Sequence, residues 1–385
     1  MQYFHNDYNE MCHPAVLQKM QENMGMQMGG YGVDTACEHA ADMIRRVCNK
    51  DDLFIHFLVG GTQTNLTVIA AALRPHQAAI GADTAHINVH ETGAIEATGH
   101  KVIGLPTQDG KINAAQIRNA LDMHFADEAH EHIPQPKLVY ISNPTELGTI
   151  YSKKELEEIS AVCKEYKLYL FVDGARLGYG LAAKDNDLTF ADLARLTDVF
   201  YIGGTKVGAM FGEAVVISNP VLAEDFRYIM KQHGAMLAKG WLLGLQYEAL
   251  MENDLYLQIA GHADNLADKI RATLSELNYP LLVEGVTNQI FPILPDALLD
   301  KLKENFTFSE QMRVDDTHRA VRFCTSWATK PEAVDALCTE LTKLSVSFNS
   351  QYSTMHPAAP RKIRNIVFLF TSSNSITLSY LSINS

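Results

Sequence analysis

Short apolar runs alternate with helical patterns through residue 218, and that alternation constrains the fold more than any other feature. "LFIHFLV" (53–59), "KLVYIS" (137–142), "LYLFVD" (168–173), "DVFYIG" (198–203) and "EAVVIS" (213–218) read as buried strands. Between them lie helical stretches such as "TQTNLTVIAAAL" (62–73), "SKKELEEISAVCKEY" (152–166) and "FADLARL" (190–196). Ser152 followed three residues later by Glu155 is a capping-box signature. Buried strands separated by helices predict an α/β fold, a mostly parallel sheet covered by helices.

A helical stretch over 220–275 then leads away from this region, and shorter runs follow at 288–294 and 320–327. A further helix is expected from Thr329, with Pro331 in its first turn. This half reads as a second, smaller α+β domain. The expected division is an N-terminal segment at 1–20 serving the active site or the small domain, a large domain at 21–255, a small domain at 256–345 and an atypical tail at 346–385. No acidic residue occurs from Lys343 to Ser385, and the tail reads as an added strand or hairpin or, in preference, a poorly ordered appendage.

Net charge bears on partners. The 385-residue chain carries −13 with no basic cluster, which argues against nucleic acid and anionic membrane. Six scattered cysteines without a CxxC pair read as reduced thiols. With no signal pattern in "MQYFHNDYNEM" and no apolar run of spanning length, a cytoplasmic location is expected.

Three strand ends carry groups of chemical interest. In "FLVGGTQTN" a strand stops at Gly60-Gly61 and a helix begins, which offers free N–H groups to an anion; a plain tight turn would read the same. It is not a Walker loop, since GxxxxGK[ST] is absent. Asp173 ends the strand in "LYLFVDGAR", where ligands bind in open α/β sheets, although Asp also commonly caps a turn there. Lys206 ends the next strand inside "FYIGGTKVG", in a position from which many lysines simply reach solvent. Together the three match what pyridoxal phosphate requires: backbone donors for its phosphate, a carboxylate for its ring nitrogen and an amine for its aldehyde.

In order and spacing these motifs resemble the threonine aldolase/β-eliminating lyase group of fold-type I pyridoxal-phosphate enzymes, across about residues 5–345. The resemblance implies a large cofactor domain, a small C-terminal domain, and a homodimer or homotetramer with shared active sites acting on a small amino-acid substrate. It implies Lys206 as the lysine bonded to the cofactor and Asp173 as the ring-nitrogen partner, with Gly61 and Thr62 at the phosphate. His86, in "DTAHINVHETG", would stack on the ring, with Glu91 as its acid five residues on. Arg176 would contact the substrate carboxylate or the cofactor's phenolic oxygen, and Arg322 would hold the substrate carboxylate. Tyr31, in "GGYGVD", would lie near the neighbouring subunit's site.

The departures weigh on the substrate. Relatives' Arg-Ser-Asp is here His5-Asn6-Asp7, which puts Asn6 at one carboxylate contact. Relatives' Glu-Asn-Thr-His is here "SNPTE", keeping Asn143 but not the histidine, and Leu237 stands at an arginine position. His86, His90 and Glu91 lack a further ligand at metal spacing, so no metal is expected. The expected activity is cleavage of L-threonine or L-allo-threonine to glycine and acetaldehyde, with His86 or a water it holds as base. The alternatives are β-elimination or aminotransfer on another amino acid and, from a different class, a non-catalytic cofactor-binding protein.

Overall fold

The computed structural model describes residues 1–355, with side chains through 347. In chain order the strands are β1 (Gln2–Tyr3), β2 (Phe54–Leu58), β3 (Gln77–Ala82), β4 (Lys101–Leu105), β5 (Gln135–Ser142), β6 (Tyr169–Asp173) and β7 (Val199–Gly203). They continue with β8 (Glu213–Ile217), β9 (Gln289–Ile290), β10 (Ile293–Pro295), β11 (Phe306–Thr307), β12 (Ser309–Arg313) and β13 (His318–Cys324). Seven of these form the central sheet in the order β2-β8-β7-β6-β5-β3-β4. β8 is antiparallel to both neighbours, and the other six strands run one way. The fold is α/β, a large, mostly parallel sheet domain joined to a smaller C-terminal α+β domain.

Four of the apolar runs become the inner strands β5 to β8, because helices cover both faces of the sheet, and β7 and β8 are buried along their whole length. The run at 53–59, expected to be buried, is instead the edge strand β2, with Phe54 exposed because no strand pairs on its outer side. β3 and β4 were not anticipated. "QAAIGA" is rich in Ala and Gly, which are weak strand formers, yet β3 is fully buried between β5 and β4. The run at 288–294 divides into β9 and β10 around Phe291-Pro292.

The helical stretch at 220–275 is interrupted three times, first at Glu224-Asp225, where Asp225 takes φ +58°. Residues 233–240 form a connection with Gly234 at φ +71°, and Asn253 and Asp254 take φ +53° and +57° before the last helix. That helix, Leu255–Glu276, ties two cores together. Tyr256, Ile259, Ala260 and Ala263 pack in the large-domain core, whereas Leu266, Ala267, Ile270 and Leu274 pack in the small-domain core. One amphipathic stripe therefore serves both.

The N-terminus pairs with the small domain, since β1 lies parallel to β11 and Phe4 enters the small-domain core. The final helix begins at Pro331; Thr329 closes the preceding turn by accepting from the Ser326 amide. This helix continues through Met355 and so includes part of the stretch read as a tail, while 356–385 lie outside the described residues. Among the described residues no helix is long and apolar enough to cross a membrane.

Candidate active site

Because six strands of the large sheet share a direction, their carboxyl ends gather on one edge, where open α/β sheets bind ligands. β2 ends before Gly60-Gly61, β3 before His86, β5 before Glu146, β6 at Asp173 and β7 before Lys206. The reversed β8 begins on that edge, with Glu213 in register with Gly203 and Leu58. A cavity of about 380 Å³ opens there, lined by Gly61, Asn65, His86, Asp173, Arg176, Lys206 and their neighbours. A larger cleft of about 930 Å³ lies elsewhere, around Tyr31, His56 and Arg227, and contains none of this chemistry.

Lys206 sits in the connection between β7 and β8. The bend depends on glycine: a Cβ on Gly203 would stand 2.4 Å from the Ala175 carbonyl oxygen, and Gly208 has φ +88°. Tyr179 fixes the backbone by donating to the Lys206 carbonyl at 2.6 Å. Glu213 braces the same connection, accepting from the Gly204 amide at 3.2 Å and the Thr205 hydroxyl at 3.0 Å. Burial raises the Glu213 carboxyl to about 8 against the pull of Lys206. The Lys206 amine has no hydrogen-bond or ion-pair partner among the described residues. Burial, reinforced by Arg176, lowers its pKa despite the opposing charges of Asp7, Asp173 and Glu213.

Asp173 is held from four directions. Tyr201 donates to Oδ1 at 2.6 Å and the Ala175 amide donates to it at 2.9 Å. Tyr140 and Asn65 donate to Oδ2, the latter at 3.0 Å. Burial alone would raise this carboxyl, but the two tyrosine hydroxyls and the amide outweigh it and hold the group below the usual carboxylate range. Asn65 also donates to Glu91 at 2.7 Å, and Glu91 meets His86 Nδ1 at 2.7 Å. This contact directs the other ring nitrogen of His86 away from Glu91.

The helix Gly61–Ala72 starts without a side-chain cap, so the N–H groups of Gly61, Thr62 and Gln63 have no acceptor among the described residues. Thr62 is exposed and Gly61 lines the cavity. Arg176 lines it too, but its Nε and Nη2 are taken by Asp7 at 2.7 and 2.9 Å, which leaves Nη1 without a partner among the described residues. Asn6 is buried beside this pair, and its Oδ1 accepts from the Tyr8 amide.

Of the expected residues, Thr62, Asn6, Arg322 and Tyr31 are not in the cavity lining. Arg322 donates to Gln289, to the His5 carbonyl and to Ser309. Tyr31 is 45% exposed in the larger cleft, with Lys231 4.7 Å above its ring.

Sequence reasoning did not assign roles to Asn65, Tyr140, Tyr201, Glu213 or Asp7. Asn65 had a readable signal, since it lies one helical turn after Gly61 and so shares its face. The tyrosines had a weaker one, a polar tip inside an apolar strand. Asp7 pairs with a residue 169 positions away, and no local pattern announces that. Among the described residues no group of three His, Cys, Asp or Glu side chains is placed to hold a metal ion.

Known proteins place this architecture. The model of the beta-eliminating lyase family matches residues 11–296. A low specificity L-threonine aldolase of Pseudomonas aeruginosa is 30% identical over 351 residues, covering 88% of this chain and 96% of that protein. The solved threonine aldolase of Leishmania major is 46% identical with a TM-score of 0.87, covering 90% of this chain and all of that one. A Thermus thermophilus aspartate aminotransferase, 14% identical with a TM-score of 0.67 over 89% of this chain and 91% of its own, shares the fold alone. The chain therefore belongs to the beta-eliminating lyase/threonine aldolase family of fold-type I pyridoxal-phosphate-dependent enzymes.

Proposed function

We propose that this protein is a pyridoxal-phosphate-dependent lyase that cleaves L-threonine and L-allo-threonine to glycine and acetaldehyde. The observation that carries this reading is a half-buried Lys206, its amine without a partner among the described residues, sharing one cavity with a carboxylate kept ionised at Asp173. The names of the similar Pseudomonas and Leishmania proteins support the substrate class.

The residues present fit the cofactor. The uncapped Gly61–Ala72 helix offers N–H groups and a positive helix end to a phosphate, with Gly61 and Thr62 at its start. Lys206 offers an amine that is in no ion pair among the described residues. Asp173 offers an acceptor to a ring nitrogen; its four donors fill its capacity, so one gives way, and Asn65 keeps Glu91 if released. His86, partly exposed at the mouth of the cavity, offers a ring face. When bound, pyridoxal phosphate supplies an electron sink for the pair released from a bond at the substrate's Cα.

The chain's own groups then orient and move protons. Arg176 Nη1 holds the substrate carboxylate, with Asn6 beside it, and Arg322 joins by exchanging its Gln289 contact for that carboxylate. Lys206 Nζ, its pKa lowered by burial, carries the proton at Cα. Which bond at Cα breaks follows from how these contacts place the side chain. Active sites shared within a homodimer or homotetramer, with Tyr31 toward the neighbour, belong to the same proposal.

Incubation with L-threonine, L-allo-threonine and L-cysteine tests the reading. Acetaldehyde and glycine without pyruvate or ammonia are expected. Pyruvate and ammonia from cysteine, with no aldehyde from either β-hydroxy amino acid, would replace it with β-elimination.

A further inference from the structure

Glu146 and Asp173 are the two carboxyls in the lining of the Lys206 cavity. The two oxygens of Glu146 are used differently. Oε1 accepts from the Ser142 hydroxyl at 2.7 Å and from the His86 amide at 2.9 Å, which pins the carboxyl to β5 and to the turn after β3. Oε2 receives no donor from another of the described residues, and the residue lines the cavity. One oxygen positions the group, and the other is left for a ligand.

The neighbouring candidates are committed elsewhere. Asp173 is surrounded by four donors, and His86 is tied through Nδ1 to Glu91. We propose that Glu146 is the catalytic base for the β-hydroxyl of the substrate, taking over the role the sequence suggested for His86 or its water. This rests on the lyase reading above.

In that step Glu146 Oε2 takes the hydroxyl proton while the Cα–Cβ bond breaks. The O–H pair becomes the second carbon–oxygen bond of the aldehyde. The pair of the broken bond stays with the glycine carbon, which takes one proton before glycine leaves. Glu146 then returns its proton to water, so nothing is consumed. Burial, followed by the negative charge of Asp173, raises the Glu146 carboxyl in spite of Ser142 and the His86 amide. A carboxyl moved toward neutral pH is suited to taking up and returning a proton.

Glu146→Gln tests the role, because the amide oxygen still accepts from Ser142 and His86 while no proton can be taken up. Cleavage of L-allo-threonine is expected to fall at least ~100-fold, the usual scale for a general base. Uptake of pyridoxal phosphate by the apo-protein, measured by equilibrium dialysis, and the spectral change on binding glycine are expected to be unchanged. Cleavage at the wild-type rate would overturn the proposal, as would loss of cofactor uptake in parallel with cleavage. A wild type that binds glycine but cleaves no β-hydroxy amino acid sinks the lyase reading itself, which is a distinguishable result.

Ser142→Ala gives a second test that leaves Glu146 in place. The groups facing Glu146 are His86 from the turn after β3, Asp173 from β6, and Tyr140 and Tyr151 from β5 and the segment after it. Removing the Ser142 donor destabilises the carboxylate, so the acid limb of kcat/KM is expected to move to higher pH. An unmoved limb assigns it to another group.

Discussion

Asp7 and Arg176 meet in a two-point ion pair, Nε to Oδ2 at 2.7 Å and Nη2 to Oδ1 at 2.9 Å, with the Asp7 side chain fully buried. Asn288 adds a third donor to Asp7 at 2.9 Å. Burial pushes the Asp7 carboxyl up, and Arg176 and Lys206 outweigh it, so the net displacement is downward. Removing one partner strands a buried charge, so Asp7→Ala should lose about 3–5 kcal/mol of stability. Urea unfolding of the apo-protein measures this, and a change below about 1 kcal/mol would show the pair to be solvated rather than closed.

Lys206→Met should behave in the opposite sense. The folded-state pKa of Lys206 is lowered, so the folded protein carries the cost of a buried charge below that value. The cost disappears as pH rises toward the ordinary lysine value of 10.5. At neutral pH the apo-variant should therefore unfold at an equal or higher temperature than the wild type. Borohydride should fix the cofactor covalently to the wild type and not to the variant; covalent trapping in the variant would assign the attachment to another lysine.

Tyr201→Phe removes one of the donors that keep Asp173 ionised. A hydrogen bond to a charged group is worth about 1.5–3 kcal/mol, so cofactor-dependent turnover should fall ~10- to 100-fold. The lowered pKa of Asp173 contributes stability above the ordinary value of 3.8, and that contribution is lost as pH falls through the folded value. The variant should show a smaller drop in urea midpoint between about pH 7 and about pH 3 than the wild type. An identical drop would mean that Tyr201 does not support the carboxylate.

Ile270→Ala probes the helix shared by the two cores. Ile270 is fully buried in the small-domain core, and such a truncation costs about 2–5 kcal/mol. Because the same helix carries Ile259 and Ala263 in the other core, unfolding should remain a single transition. Two separated transitions would show that the domains unfold independently.

Much of the site could be read locally. Gly61, Asp173 and Lys206 each follow an apolar strand in sequence, and strands that share a direction deliver their ends to one edge. His86 and Arg176 were found by resemblance, and the structure brings both to the cavity that holds the other three. Arg322 and Tyr31 lie apart from that lining, because Arg322 is engaged by Gln289, His5 and Ser309 and Tyr31 sits beside Arg227 and Lys231.

By itself the sequence determined the α/β class, the strands that are apolar throughout and the residues at their carboxyl ends, because hydrophobic period and strand-end chemistry are local properties. Tertiary structure alone decided that Ala- and Gly-rich 77–82 is an inner strand, since burial between two neighbours overrides weak propensity. It also decided what makes the lysine and the aspartate usable. Tyr140 and Tyr201 reach Asp173 from strands on either side, and Asp7 reaches Arg176 from the N-terminal segment. Those contacts depend on register and packing between distant segments, and they set the electrostatic environment in which Lys206 stands with its amine free.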